Sequence, residues 1–192
     1  MTENETIILA SASPRRQELL RQIGCNFRVV VSDAEELSGD GILPERLAIE
    51  NAKRKAEAVA AKDGFNVPVL GADTVVSVDE MILGKPKDET DAVRMLRLLS
   101  GRQHFVYTGV ALSYRGEIYE DVVRTVVWVD TLSEKDIAAY IATGEPMDKA
   151  GAYAVQGLAA KFIPRIDGSF SNVVGLPLRA VRNLARRAGI EL

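Results

Sequence analysis

Asp73 stands in the middle of an apolar run, Val67–Val78, within Gly71-Ala72-Asp73-Thr74. A carboxylate among Val, Leu and Ala is costly to bury unless it is paired, hydrogen-bonded or holding a metal. Gly71 and Ala72 are small and leave room for a ligand beside it. Strand alternation sends Asp73 and Thr74 to opposite faces, so a twist or a strand end is needed to bring both to one ligand. The plainer alternative is a carboxylate bonded to loop amides. A second unusual segment, Ser11-Ala12-Ser13-Pro14-Arg15-Arg16, lies between a strand and a helix. Ser13 suits the N-cap and Pro14 the first helical position. Arg15 and Arg16 then fall in the first turn, where the helix dipole is positive and arginine has the wrong sign, at a cost of up to about 1 kcal/mol. A bound anion would answer that mismatch, because free N–H groups, hydroxyls and two guanidiniums would converge on it. Pairing with protein carboxylates such as Glu18 would answer it too.

Two lysines extend the pattern. Lys55 shares a helical stripe with Ala48, Ala52 and Val59, from which it either snorkels to solvent or reaches a buried anion. Lys85, in Gly84-Lys85-Pro86, has an extended backbone imposed by the proline. It suits a phosphate clamp, and equally an ordinary loop. The segment Asp148–Gly157 is rich in small residues that allow close approach of a ligand or of backbone, and the Gln156 amide offers a donor and an acceptor to a base edge. Gly168–Pro177 is a polar loop feeding the last helix. The sequence has no GxxxxGK[ST], no GxGxxG and no histidine-carboxylate zinc spacing. A basic first turn, a buried-looking acid and two lysines suit metal-assisted attack of water on a phosphoanhydride.

The elements that must position these residues alternate. Strands are expected at Thr6–Ala10, Phe27–Val31, Val67–Val78, Met81–Leu83, Phe105–Tyr114, Glu117–Val129, Ala152–Val155 and Phe162–Ile166. Helices are expected at Pro14–Ile23, Pro44–Lys62, Thr90–Leu99, Ser133–Thr143 and Leu178–Ala188. Turns fall at Asp79-Glu80 and Arg115-Gly116, and Ser133 serves as an N-cap with Asp136 three residues on. The class is α/β with a mixed sheet rather than strict βαβ winding. No repeat or linker interrupts the chain, which reads as one domain over residues 1–192.

Composition narrows the function. Of 192 residues, 47% are hydrophobic and 27% charged, an ordinary globular balance. No apolar run approaches the roughly 18 residues of a membrane span, and the acidic start lacks the basic region of a secretory signal. One cysteine, Cys25, excludes an internal disulfide and reads as a packing residue, and one histidine, His104, excludes a multi-histidine metal site. A reducing cytoplasm is the expected compartment. Net charge is -3, with 24 basic residues spread along the chain. Only Arg179, Arg182, Arg186 and Arg187 cluster, on a final helix whose dipole they complement, so nucleic acid is not an expected partner.

As a set, Leu9–Leu20, Lys55–Ala60, Leu70–Val76, Gly84–Pro86, Lys149–Gly157 and Gly168–Leu178 resemble the Maf family of nucleoside triphosphate pyrophosphatases, in the family's order. The resemblance implies a bent central sheet flanked by helices, with two lobes around a deep cleft, similar to inosine triphosphatases. It implies a nucleoside triphosphate substrate, a divalent cation such as magnesium or manganese, a homodimer and no membrane partner. Carried over by motif, Asp73 would be the general base or metal-linked acid, and Glu36 a second metal-side carboxylate. Ser11, Arg16, Lys55 and Lys85 would bind phosphates. At Arg15, Thr74 and Gln156 the chain is similar to the subgroup acting on dTTP and UTP, which implies a house-cleaning role on modified nucleotides as well. The alternatives are a 7-methyl-GTP pyrophosphatase and a non-catalytic nucleotide-binding regulator of cell division.

Overall fold

The computed structural model describes residues 6–39, 41–62 and 66–192; the acidic start of the chain lies outside them. In chain order the elements are β1 (Ile7–Leu9), α1 (Pro14–Gln22), β2 (Phe27–Val29), α2 (Pro44–Lys62), β3 (Val69–Val78), β4 (Met81–Leu83), α3 (Glu89–Leu99), β5 (Gln103–Tyr114), β6 (Glu117–Trp128), α4 (Glu134–Ile141), β7 (Arg165–Asp167), α5 (Phe170–Val174) and α6 (Leu178–Arg187). Among the described residues the strands form one seven-stranded sheet, ordered β2-β1-β3-β5-β6-β7 with β4 also paired to β3. The β1 pairings are parallel and the rest antiparallel, so the sheet is mixed and the class is α/β. No described helix is long and apolar enough to cross a membrane.

Local chemistry explains the boundaries. Asp88 caps α3 by accepting from Asp91 N, and Ser133 with Asp136 forms a full capping box on α4. Asp79-Glu80 and Arg115-Gly116 all take positive φ, which closes the β3–β4 and β5–β6 hairpins.

Two expected strands are corrected. Ala152–Val155 is not a strand. Positive φ at Gly151 and Ala152 curls the chain into a 3-10 turn at Ala150–Ala152, followed by a turn over residues 155–157. Only the end of Phe162–Ile166 is extended: Leu158–Phe162 is 3-10, and Arg165–Asp167 pairs with Val126–Trp128. Short apolar runs do not separate these states by periodicity.

The two faces of the sheet are covered differently. Leu70, Ala72, Val76, Val78, Val106, Val110 and Leu112 belong to the large core that includes residues of α3, α4 and α6. The other face receives α2, whose Ala48, Ala52, Ala56 and Ala60 form a fully buried ridge at four-residue spacing. A Cβ on Gly71 would overlap the Ala52 carbonyl oxygen, and one on Gly109 the Ala48 carbonyl group. Gly71 therefore does not make room for a ligand, as its sequence position suggested; it lets the helix backbone press onto the sheet. That approach places the polar residues of α2 against Asp73.

One edge of β3 carries the geometry that matters. β1 pairs with it only at Val69 and Leu70, and β4 only at Val76, Ser77 and Val78. Residues 71–75 have no strand partner on that edge among the described residues. β1 runs parallel to β3 and β4 antiparallel, so both strands end facing the gap. The segments that follow them, Ser11–Arg16 and Gly84–Lys85, are thereby delivered to Asp73 and Thr74.

Candidate active site

At this gap lies a cavity of about 780 Å³ lined by every site residue singled out in the sequence: Ser11, Arg15, Arg16, Glu36, Lys55, Asp73, Thr74, Lys85 and Gln156. Asp73 and Thr74 do point to opposite faces. Because the strand edge between them is uncovered, a single cavity touches both without a special twist.

Asp73 is mostly buried and answered on both oxygens. Lys55 Nζ donates to Oδ1 at 2.6 Å, and Asn51 Nδ2 to Oδ2 at 3.3 Å. Asn51 and Lys55 are four apart on α2, so one helical face supplies both donors. The neighbouring cations settle the register: Lys53 pairs instead with Glu120 at 3.8 Å, and Arg54 borders a separate surface groove. Lys55 Nζ also meets Glu36 Oε1 at 2.6 Å, so one ammonium bridges two carboxylates. Partial burial pushes the Glu36 carboxyl up. The hydrogen bond from Lys55 and the charges of Lys55, Lys85 and Arg16 outweigh it and hold the group below the ordinary glutamate range.

Asn51, which the sequence did not single out, organises this end of the cavity. Its Oδ1 accepts from Leu37 N at 2.8 Å, fixing the irregular segment that carries Glu36, while its Nδ2 holds Asp73. The signal was a polar residue one turn before Lys55 on a face otherwise made of apolar residues such as Leu47, Ala48, Ala52 and Val59.

Arg16 is held more tightly than a first-turn arginine need be. Nε donates to Gly175 O at 2.8 Å, Nη1 to Ser11 Oγ at 2.9 Å and Nη2 to Thr74 Oγ1 at 3.2 Å. None of these is a carboxylate, so the helix-dipole mismatch is not answered by an ion pair such as the one considered with Glu18. Burial lowers the Arg16 pKa, against the pull of Asp73. Ser13 occupies the N-cap position, but its side chain makes no cap hydrogen bond. Thr108 gives its hydroxyl hydrogen to Asn172 O, so Thr74 must donate to Thr108 while accepting from Arg16. Gly168–Pro177, expected as a loop, contains the short helix α5 capped by Ser169, and its Asn172 donates to Val106 O and Thr125 Oγ1, pinning α5 to the sheet. The guanidinium is thus fixed from both sides.

Lys85 is exposed at the mouth, and the preceding Gly84 O accepts from Gly151 N at 3.0 Å. That bond joins the Lys85 loop to the segment carrying Gln156, whose side chain is exposed and makes no hydrogen bond among the described residues. Lys149 also lines the cavity, largely buried and paired with Asp148. The small-residue run drew attention to this segment for Gln156 and left its lysine aside.

An acid and a set of cations are gathered at an open strand edge, an arrangement whose charge suits a polyanion. The chain belongs to the Maf-like protein family, whose profile matches residues 6–188. It is 50% identical over 191 residues to a dTTP/UTP pyrophosphatase of Geotalea uraniireducens, covering 98% of each chain. A dTTP/UTP pyrophosphatase of Vibrio cholerae is 49% identical over 172 residues, covering 90% of this chain and 92% of the relative. Among solved structures, the Staphylococcus aureus Ham1 protein aligns with a TM-score of 0.48 and 15% identity, covering 96% of this chain and 99% of that one.

Proposed function

We propose that this protein hydrolyses nucleoside triphosphates to the monophosphate and pyrophosphate, with dTTP and UTP as preferred substrates. The observation that carries the reading is the Asp73 carboxylate, fixed by Lys55 and Asn51 inside a cavity that Arg16 and Lys85 also line. The names of the relatives from Geotalea uraniireducens and Vibrio cholerae support the same substrates.

The donors remaining after the protein's own contacts suit a polyphosphate. Arg16 commits three of its five N–H groups to protein acceptors, leaving two for phosphate oxygens. Lys55 commits two of its three hydrogens to carboxylates and keeps one. Lys85 adds an exposed ammonium. The fixed donors of Arg16 and Lys55 stabilise charge that develops on the leaving pyrophosphate without reorganising, and each is worth about 10²–10³ in rate. Each Asp73 oxygen retains a free lone pair, so the carboxylate accepts the proton of the attacking water.

The acids also fit a divalent ion. Asp73 and Glu36, each 2.6 Å from Lys55 Nζ, are the two carboxylates that would hold the ion, with the Lys55 ammonium then released to the substrate phosphates. Among the described residues no cluster of three or more His, Cys, Asp or Glu is present. Two carboxylates completed by substrate phosphates and water match the habits of magnesium or manganese. Bound there, the ion supplies a lowered water pKa and screening of the phosphates.

Gln156 matches the O4 acceptor and N3–H donor of thymine or uracil. Thr74 acts on selectivity through the guanidinium it holds, and Arg15 lines the same cavity. The test is a panel of standard and modified triphosphates with magnesium, separating pyrophosphate from orthophosphate. Pyrophosphate release strongest on dTTP and UTP is expected. Preference for 7-methyl-GTP, or binding without turnover, defeats the reading.

A further inference from the structure

Gln156 sits at the tip of a turn closed by Gly157 N donating to Ala154 O at 3.0 Å. A side chain without a protein partner reads a base only if its backbone is fixed, since a mobile turn spends binding free energy on its own ordering. The fixing groups come from outside the cavity. Tyr140, buried on α4, accepts from Ala154 N at 3.2 Å and donates to Glu145 Oε1 at 2.8 Å. Glu145 accepts from Leu158 N at 3.0 Å and 3.1 Å through its two oxygens. One phenol and one carboxylate thus hold the residues two before and two after Gln156. A Cβ at Gly157 would strike the Glu145 carboxylate, so the turn lies directly on it. Neither Tyr140 nor Glu145 lines the cavity.

We propose that Tyr140 and Glu145 are positioning residues for base selection: together they hold the turn so that the Gln156 amide meets the base at fixed depth. The inference rests on Gln156 reading the base, as proposed above. Chemistry at Asp73 does not pass through this turn, so turnover and selectivity are separable.

The test measures kcat and KM for dTTP and for a non-preferred triphosphate, ATP, in Tyr140→Phe, Glu145→Gln, Gln156→Ala and the double variant Tyr140→Phe/Gln156→Ala. Tyr140→Phe is expected to raise KM for dTTP about tenfold, with kcat within twofold and ATP parameters unchanged. Glu145→Gln is expected to act the same way, which keeps the test alive if one variant fails to fold. In the Gln156→Ala background, Tyr140→Phe is expected to add nothing, because the two act as one unit. Additive effects, or equal losses on both nucleotides with a lowered Tm, overturn the inference. Selectivity lost in Gln156→Ala but kept in Tyr140→Phe and Glu145→Gln overturns it alone. An unchanged dTTP preference in Gln156→Ala overturns the base-reading role as well.

Discussion

The cavity has two parts built on opposite principles. Around Asp73, the charged groups are themselves held: Lys55 bridges Asp73 and Glu36, Asn51 binds Asp73 and the backbone next to Glu36, and Arg16 is pinned by Ser11, Thr74 and the Gly175 carbonyl. Around Gln156 the contacts are to backbone, from Tyr140 and Glu145, and Tyr153, next in the chain to Ala154, is bonded through Oη to His104 Nε2 at 2.8 Å. Charges at fixed distance suit a reaction in which negative charge moves. A neutral amide on a braced turn suits recognition, where the bound group does not change. Damage to the first part is therefore expected to appear in turnover, and damage to the second in selectivity and stability.

The largest expected effect tests the charged part. Asp73→Asn keeps the shape and a hydrogen bond but cannot accept a proton, and kcat is expected to fall about a thousandfold with nucleotide binding retained. Equal loss of binding, measured by calorimetry, would place Asp73 in affinity rather than turnover. Next is Arg16→Lys. An ammonium cannot serve three fixed acceptors and still present two donors, so kcat/KM is expected to fall about a hundredfold. A change of less than threefold would show that charge alone suffices and that the guanidinium's fixed geometry is immaterial.

The third concerns the neutral part. Burial pushes the His104 pKa down to about 4 from 6.5, so the ring is neutral in the folded protein while the unfolded chain protonates. The unfolded state binds more protons, so this stability is present above pH 6.5 and lost as pH falls toward the folded value. Between pH 8 and pH 5 it amounts to about 2 kcal/mol. Urea midpoints at the two pH values check it, and His104→Phe is expected to flatten that slope. The smallest effect is Gly157→Ala, expected to cost about 1 kcal/mol by crowding Glu145, and to weaken dTTP preference more than kcat. Loss of kcat with preference intact would merge the two parts into one.

The two parts also differ in how legible they were. Asp73, Arg16 and Lys55 announced themselves because each breaks a local rule: an acid in an apolar strand, a cation at a helix start, a lysine on an alanine stripe. Functional sites are where such conflicts are expected. The elements around them were read nearly to their ends, as with Pro44–Lys62 and Met81–Leu83. The gap in β3 pairing was not legible, because it depends on which strands meet and where each stops. Gly71 was misread for the same reason, since only the packed helix shows what its missing Cβ serves. Tyr140 and Glu145 break no local rule: one is a buried aromatic on a helix, the other an acid at a turn. Their role exists only in the contact between α4 and a turn that positive φ values had already hidden from strand periodicity.

The most direct test of the proposed chemistry is hydrolysis of dTTP with magnesium in ¹⁸O-labelled water, with both products weighed by mass spectrometry. Water attack at the α-phosphorus, with pyrophosphate leaving toward Arg16, Lys55 and Lys85, is expected to give dTMP carrying one ¹⁸O and unlabelled pyrophosphate. Formation of dTDP and orthophosphate, or label in the pyrophosphate, would contradict it.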